Sequence, residues 1–396
     1  MADQVFAAGP FGETVENRRA QVAELLAEVF RRHGPTAEQT GEFPRAVVAD
    51  LAAAGLIRER WTPGPLGDPG LGVLIAEESG RLGRAGLAVG LSLHCETVAS
   101  ILNRFADNDL LADYLEGVLD GRLLGCLGAS EPTGGSDLNA VRTAAVRRPG
   151  GWHVQGEKKF LTLGRVCDFA LLLCRVELGG RRSAGRLGLF AVPRSALTIR
   201  KHINGIGMKD LDTTWMIIDA ELPEEAMVGR VGTGLLAASW GLDHERLSIA
   251  AQAAGGCRRA IGLAVAHLHR REQFGRPLIE HQALRLRVAE LSSRLLVLRY
   301  AVWAAAQGIG ANPGCSTRDI AALKVTAARL AEEVMSECMH VFGGAGYLVD
   351  ETPLARMWTD ARLARLGGGS DEMMWEIVAA GLVPDDAGYD ESVRWA

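Results

Sequence analysis

The first third of the chain carries apolar residues at helical spacing. Between Thr14 and His33 they recur three or four positions apart, on one face of a predicted helix that Gly34-Pro35 should end. A second helix is predicted from Phe43 to Ala54 with Gly55 as its stop, and helical patterns continue from Leu71 to about Leu119. This part of the chain is predicted to be mainly α.

Short apolar or alternating runs replace the helical spacing between about residues 122 and 233. Their length and composition are typical of strands, and Gly179-Gly180 is predicted as a hairpin turn. The runs are residues 151–156, 169–174, 187–192 and 214–218. The middle third is therefore predicted to be mainly β.

Long helical patterns return from Gly234. One apolar stripe advances by alternating steps of four and three residues, as expected of a helix packed in a bundle. It consists of Leu284, Val288, Leu291, Leu295, Leu298 and Val302. The polar tail from Val383 to Ala396 is expected to lie loosely on the surface.

Composition and charge narrow the class of protein. The chain has 396 residues, of which 48% are apolar and 23% charged, which favours a soluble globular protein of two or three domains. The formal net charge of −5 gives no basic surface for a polyanion, so no nucleic-acid partner is expected.

Cysteine usage and the N-terminus bear on the compartment. The seven cysteines show neither Cys-x-x-Cys spacing nor a disulfide framework, so reduced thiols and no metal site are expected. We find no secretory signal and no charge-free segment long enough to span a membrane. The protein is therefore expected to be cytoplasmic, without a membrane partner.

The segment Ser130–Asp137 is the most suggestive single motif. Its two glycines permit a turn with exposed N–H groups, and Ser130, Thr133 and Ser136 add hydroxyls that could face a flat heterocycle or a pyrophosphate. The same residue types also build ordinary solvent turns. The eight residues alone leave both interpretations open.

With this motif opening the β part of an α–β–α chain, the sequence resembles the acyl-CoA dehydrogenase family of flavoproteins from about Thr14 to Leu382. The resemblance implies FAD as cofactor and an α+β fold. Its parts would be an N-terminal α-helical domain (1–121), a middle β-barrel domain (122–233), a C-terminal four-helix bundle (234–382) and a tail (383–396).

Four separated motifs carry this resemblance. The segments 130–137, 158–164, 271–282 and 342–347 are similar to the family's Thr-Glu-Pro loop, its Lys-x-Trp-Ile-Thr-Asn-Gly strand, its Arg-x-x-Phe-Gly…Gln motif and its Phe-Gly-Gly-x-Gly-Tyr turn. Phe160 replaces Trp, Leu163 replaces Asn and His340 replaces Gln. The cofactor contacts implied by the resemblance, together with its late active-site turn, are Cys126, Ser130, Gly135, Ser136, Phe160, Thr162, Arg271, Phe274, Gln282, His340, Gly343, Gly344 and Ser370.

Oxidising an acyl thioester needs a base for the α-proton while flavin N5 takes hydride from the β-carbon. Many family members place a Glu before the last active-site turn, where this chain has Gly368. Isovaleryl-CoA and long-chain relatives use an earlier Glu-Arg pair, which Glu245-Arg246 resembles. Glu245 is the predicted base, and Asp371 and Glu372 are the alternative bases. Arg246 is predicted to orient the carboxylate or to hold a substrate or cofactor anion, and Gly368 is predicted to bind substrate.

The resemblance implies α,β-dehydrogenation of an acyl thioester. The substrate would be a short or branched acyl-CoA, or an acyl or aminoacyl group on a carrier protein. Electrons would pass to an electron-transfer flavoprotein or a similar acceptor. Because Arg271 and Gly343 resemble contacts made across a subunit boundary, a homotetramer built as a dimer of dimers is expected. A flavin-dependent monooxygenase is the alternative, and a non-enzymatic binding protein a further one.

Overall fold

The N-terminal domain is a set of packed helices. The computed structural model describes residues 12–178, 181–309 and 314–393. A π-helical stretch, Leu93–Val98, joins two of the helices into one continuous rod. The helices are α1 (Gly12–Thr40), α2 (Arg45–Ala53), α3 (Leu56–Arg60), α4 (Pro69–Arg81), α5 (Ala85–Ser92), α6 (Ala99–Phe105) and α7 (Asp109–Leu119).

The predicted end of the first helix was wrong. α1 continues through Gly34-Pro35 to Thr40, although a proline removes one helical hydrogen bond. Ala37, two residues beyond the pair, is completely buried in the core of this domain. Packing of that last turn outweighs the local helix-breaking signal.

The middle domain is one eight-stranded sheet. Its strands run in the order β6-β7-β3-β2-β4-β5-β8, and β1 pairs in parallel with β4, Gly125 opposite Phe169. The predicted hairpin turn at Gly179-Gly180 lies outside the described residues. The strands are β1 (Gly125–Gly128), β2 (Ala144–Arg148), β3 (Gly151–Thr162), β4 (Phe169–Leu178), β5 (Arg181–Pro193), β6 (Leu197–His202), β7 (Thr213–Pro223) and β8 (Met227–Val228).

The C-terminal domain is a bundle of long helices. The stripe predicted on α9 is buried at Val288, Leu291 and Leu295, against α8 and α10. The elements are α8 (Gly234–Arg270), a small hairpin of β9 (Glu272–Gln273) and β10 (Arg276–Pro277), α9 (Gln282–Gly308), α10 (Thr317–Val341), α11 (Gly344–Tyr347), α12 (Leu354–Ala361), α13 (Asp371–Ala379) and α14 (Asp386–Ser392). The predicted three-part α+β organisation is confirmed.

Part of the C-terminal tail is helical, which the sequence did not predict. α14 begins after Asp385, whose side chain accepts a hydrogen bond from the Gly388 N–H. No residue of α14 is buried, so local capping rather than core packing defines this helix.

The continuous rod Ala85–Phe105 is long and apolar enough to cross a membrane by composition alone. In the fold, 83% of its most apolar window is buried inside the protein. Its hydrophobicity is thus accounted for by packing in the core.

A buried charge network connects α1 and α4 to the bundle. The Arg19 guanidinium lies 2.9 Å from a carboxylate oxygen of both Glu77 and Glu78. Arg299 reaches Glu77 from α9 at 2.7 Å, and Arg258 reaches Glu78 from α8 at 3.2 Å. Each buried carboxylate is therefore matched by more than one cation, which offsets the cost of removing it from water.

Helices α4 and α8 touch through glycines. A Cβ placed on Gly255 would lie 1.9 Å from the Glu77 carbonyl oxygen, and one on Gly80 would lie 2.2 Å from the Gln252 carbonyl oxygen. Both distances are far shorter than van der Waals contact, so the backbones approach as closely as they do only because these side chains are absent.

This contact predicts opposite effects for two Gly→Ala changes on α8. Gly255→Ala should destabilise the fold by on the order of 1–3 kcal/mol, because the helices must separate to admit the methyl group. Gly262→Ala is the matched control, since its Cβ meets nothing within 4 Å, and it should stabilise by up to about 1 kcal/mol through helix propensity. Thermal or urea unfolding measures both, and equal effects would contradict the close contact.

Candidate active site

A mainly apolar cavity lies between α4, α5, α8 and α10. Its volume is about 850 Å³ including the open mouth. Small residues form much of its wall: Gly80, Gly83, Ala85, Ala88, Ala253, Gly256, Ala331, Ala361, Ala364 and Gly367. Glu245 and Asp360 bring carboxyl groups to this wall, and Ser92 and Gln252 bring neutral polar groups.

Glu245 contributes the carboxyl group that α8 turns toward the cavity. The Thr97 hydroxyl donates to its Oε2 at 3.1 Å. Burial raises the pKa of Glu245 above its ordinary value, and the Thr97 hydrogen bond and the positive charges of Arg246 and Lys324 act in the opposite direction. The result is a desolvated carboxyl that is easier to protonate than one in water.

Thr97 owes its position to the π-helical stretch between α5 and α6. A π-helical turn contains an extra residue, so it shifts the faces of the helix on either side of it. The neighbouring Glu96 forms a two-point ion pair with Arg60 at 2.9 and 2.8 Å, in the interior. This pair anchors the segment that aims the Thr97 hydroxyl at Glu245.

Gly368 lies directly beside Glu245, although the two are far apart in sequence. A Cβ on Gly368 would be 3.7 Å from the Glu245 Oε1 and 3.1 Å from the Ile249 Cδ1, and the Gly368 φ is +67°. A glutamate at 368 would therefore compete for the space that Glu245 and Ile249 fill. This geometry fits the prediction that Glu245 replaces the glutamate that many family members have at the position of Gly368.

Arg246 binds the turn that contains Gly368. Its Nε donates to the Gly368 carbonyl at 2.8 Å, and its Nη1 lies 2.8 Å from Asp243 Oδ1. The side chain is buried among these partners. The guanidinium thus holds the turn that carries Gly368, and a contact with substrate stays a prediction.

The alternative bases are both placed elsewhere. Asp371 is buried in an ion pair with Arg365, at 2.6 Å. Glu372 is exposed in the first turn of α13, and neither residue is part of the described cavity wall. Asp360, by contrast, reaches the wall, but it accepts from the Met208 N–H at 2.6 Å and lies beside Arg356.

The predicted cofactor loop, residues 130–137, is fixed by a buried glutamate. Glu131 accepts from the Thr143 hydroxyl at 2.6 Å and from the Lys158 ammonium at 2.9 Å. Burial raises the pKa of Glu131, but Lys158 and Thr143 more than offset this and hold it below its ordinary value. The ionised side chain therefore ties the loop to β3.

Strand β3 brings an aromatic ring next to this loop. The Lys159 N–H donates to the Ser130 carbonyl at 3.0 Å, and Phe160 follows at a bulge with φ of +67° and 57% of its surface exposed. Gly135 approaches the Ser130 hydroxyl so closely that a Cβ there would be 2.9 Å from it. Hydroxyls, backbone N–H groups and an open ring thus share one surface.

Leu163 occupies a position that explains the family's usual Asn. Its φ is +67°, in the left-handed region that Asn tolerates better than branched residues. Here the side chain is completely buried, so the apolar contact of Leu offsets the strain. The departure changes the core beneath the strand rather than its exposed face.

Cys126 does not reach the predicted cofactor surface with its side chain. The thiol lies fully buried in the sheet domain, where contact with Cys167 and burial raise its pKa well above the ordinary value. A cofactor contact by Cys126 would therefore use the backbone of β1, and this contact stays a prediction. Thr162, at the end of β3, is partly exposed.

A second group of predicted cofactor residues gathers at one end of the bundle. Phe274, at the tip of the β9–β10 hairpin, is 94% exposed, and Arg271 is exposed beside it. The His267 ring stacks on Phe342 with centroids 4.1 Å apart, which joins the end of α8 to the turn after α10. The other members, Gln282, His340, Gly343 and Gly344, are also exposed, whereas Ser370 is partly buried and caps α13.

These two groups fit FAD chemically. Guanidinium and backbone N–H groups suit a diphosphate, and exposed Phe rings suit a flat ring system. Gly343, with φ of +60°, has nothing within 4 Å of a Cβ position, so its backbone is open to close approach. Which residue contacts which part of FAD stays a prediction.

Two residues of the site were missed in the sequence. Thr97 lies in an apolar helical pattern. Lys324, whose Nζ donates to the Gly369 carbonyl at 2.5 Å, lies among the buried, mostly apolar residues of α10. A lysine on an otherwise apolar helical face is the one signal that could have drawn attention to Lys324.

Comparison with known proteins identifies the family of this chain. Family models for the N-terminal, middle and C-terminal domains of acyl-CoA dehydrogenase match residues 12–122, 126–220 and 232–383. The chain belongs to the acyl-CoA dehydrogenase family, and the predicted FAD-dependent dehydrogenation of an acyl thioester is confirmed as its reaction class.

Individual relatives cover most of the chain. The acyl-(acyl-carrier-protein) dehydrogenase MbtN of Mycolicibacterium paratuberculosis is 48% identical over 354 residues, covering 89% of this chain and 90% of the relative. Mitochondrial isovaleryl-CoA dehydrogenase of Solanum tuberosum is 28% identical, covering 94% and 91%. The solved butyryl-CoA dehydrogenase of Megasphaera elsdenii superposes with a TM-score of 0.86 at 25% identity, covering 95% and 100%.

The hydrogen bond from Thr97 predicts a change in pH dependence. A base must be ionised, so activity should fall as the pH drops through the pKa of Glu245. Thr97→Val removes a donor that favours the ionised form, so the acid limb of the rate–pH profile should move to higher pH. Thr97→Ser keeps the hydroxyl and should retain the wild-type profile; identical profiles for all three proteins would contradict the assignment.

Proposed function

We propose that this protein introduces an α,β double bond into a long acyl chain carried on an acyl carrier protein, with Glu245 removing the α-proton. The observation that carries this proposal is the Glu245 carboxyl at the wall of a deep apolar cavity. Oligomeric state, electron acceptor and compartment are further parts of the same proposal.

The depth of the cavity favours a long chain over the short or branched one expected at first. On α8 its wall runs from Glu245 through Ile249 to Gly256. Eleven helical steps separate Glu245 from Gly256, and at about 1.5 Å per step they span roughly 16 Å. Because each C–C bond of about 1.5 Å advances an extended chain by slightly less than its length, roughly a dozen carbons fit beyond the reacting centre.

The proton transfer follows from the surroundings of Glu245. The apolar wall raises the pKa of Glu245. The pKa of the base thereby comes closer to the pKa of the thioester α-carbon, which favours proton transfer between them. Within the described part of the chain, the Gly368 N–H beside it donates to no protein acceptor, so it is available to the thioester carbonyl. When bound, FAD supplies the acceptor for the hydride that leaves the β-carbon.

The carrier is inferred from the relatives. The MbtN proteins, at 44–48% identity, are named for an acyl group on an acyl carrier protein, whereas the isovaleryl-CoA relative is far less similar, at 28%. A flavin-dependent monooxygenase would need no α-proton base, and a binding protein would need no buried carboxyl. Glu245 therefore supports dehydrogenation over both alternatives.

We further infer a homotetramer in the cytoplasm that passes electrons to an electron-transfer flavoprotein or a similar acceptor. The exposed Phe274 ring supports association, because an apolar side chain so exposed is unfavourable in water. Arg271 and Phe274 lie at the bundle end, whereas Ser130 and Phe160 lie on the sheet domain. A second copy of the chain would bring the two groups into one site.

Replacing the proposed base should separate cofactor binding from chemistry. Glu245→Gln should keep FAD bound but lose bleaching of the flavin absorbance during anaerobic titration with a long-chain acyl-carrier-protein thioester, because the amide cannot accept the α-proton. The matched control is Glu372→Gln, which should bleach normally. Normal bleaching by Glu245→Gln would refute Glu245 as the base. Loss of bleaching in Glu372→Gln alone would refute it as well.

Filling the far end of the cavity should shorten the accepted chain. Gly256→Leu places a side chain where a Cβ already meets Met335 at 3.2 Å, so turnover of long-chain thioesters should fall at least about tenfold while that of short ones persists. Gly262→Leu, on the same helix but open within 4 Å, is the control. Equal losses for both chain lengths would show that the acyl chain does not extend past Gly256.

A further inference from the structure

The turn from Gly367 to Ser370 is held by two cations that bind successive carbonyl groups. The Arg246 Nε donates to the Gly368 carbonyl at 2.8 Å, and the Lys324 Nζ donates to the Gly369 carbonyl at 2.5 Å. Arg246 comes from α8 and Lys324 from α10, so the two helices grip the turn together.

Lys324 is costly to bury and is nevertheless completely inaccessible. Burial lowers the pKa of its ammonium to about 8. The positive charges of Arg246 and Arg365 act in the same direction, whereas the negative charges of Asp371 and Glu245 oppose it. An apolar side chain would fill the same place among the buried residues of α10 without this cost. The contact with the turn is what the ammonium adds.

The turn needs such external contacts because of its composition. Gly367, Gly368 and Gly369 are consecutive, and the last two have φ of +67° and +107°. Glycine has the largest backbone freedom to lose on ordering. Since each peptide unit is planar, fixing the carbonyls of Gly368 and Gly369 also fixes the directions of the N–H groups of Gly369 and Ser370.

The turn lies where a small shift would affect the reaction. A Cβ on Gly368 would be 3.7 Å from the Glu245 Oε1, so the turn forms the surface next to the carboxyl oxygen. On the far side, the turn leads into Asp371, which Arg365 holds at 2.6 Å. Its C-terminal end is thus also held by Arg365.

We propose that Lys324 is a positioning residue for the reaction: together with Arg246 it fixes the Gly367–Ser370 turn against the Glu245 carboxyl. Its ammonium also places a positive charge near that carboxyl, which favours the ionised base. This inference rests on the proposed role of Glu245, and Lys324 itself touches the turn rather than the substrate.

The test compares Lys324→Met with Lys324→Gln. Lys324→Met removes both the donor and the charge; it should keep FAD but lower kcat on the order of 10- to 100-fold through misplacement of the turn, with a smaller change in KM. Its acid limb should also move to higher pH, because Glu245 loses a neighbouring cation. Lys324→Gln retains a donor without charge, so it should recover part of kcat and keep the shifted limb.

The charged groups that face Lys324 stay unchanged in both variants: Glu245 and Arg246 on α8, Asp371 on α13 and Arg365 before the turn. The exposed Lys201 on β6 provides a control, and Lys201→Met should match the wild-type protein. Wild-type kcat and pH profile in Lys324→Met would overturn the inference. If that variant does not fold, Lys324→Gln decides: a wild-type acid limb there overturns it, and a shifted limb supports it.

The two proposals fail in distinguishable ways. If Glu245→Gln still bleaches the flavin normally, Glu245 is not the base, whatever the result for Lys324→Met. An inactive Glu245→Gln combined with an unaffected Lys324→Met leaves the base in place and removes only the positioning role.

Discussion

The site depends on keeping one carboxyl group at the edge of an apolar cavity. Burial makes the Glu245 carboxyl a stronger base than an exposed glutamate, but it also favours the neutral acid. Thr97, Arg246 and Lys324 counter that tendency from three different elements. The balance between burial and these three groups determines whether the base is ionised when substrate arrives.

The same cavity depends on how closely the helices around it approach. The glycine contacts between α4 and α8 bring the two backbones together where Gly80 and Gln252 meet, and both residues also belong to the cavity wall. Small side chains thus serve two purposes in one region. They allow close packing between helices and leave an elongated space between them.

Buried ion pairs fix the segments that the chemistry requires. Glu131 with Lys158 sets the loop of the sheet domain, and Glu96 with Arg60 sets the π-helical segment that carries Thr97. Such pairs contribute little net stability compared with apolar packing, but a displaced partner leaves an uncompensated charge in the interior. This penalty makes each segment specific for one geometry.

Much of the fold could be predicted from the sequence, because periodicity, glycine position and strand composition are local properties. The α–β–α order and the stripe on α9 followed from spacing alone, and Glu245, Gly368 and the loop at Ser130 followed from motifs. The helix through Pro35 was missed because burial of Ala37 outweighs the local signal. The small helix after Asp385 was missed because a single cap defines it.

The roles of individual side chains were decided by tertiary structure. The motifs do not show that Arg246 binds the Gly368 carbonyl or that the Cys126 thiol is buried, and both facts come from the fold. Thr97 and Lys324 carry no motif at all. The sequence by itself determined which residue types are present and in what order, whereas the approach of Glu245 to Gly368 and Lys324 depends on contacts between distant segments, which spacing along the chain does not encode.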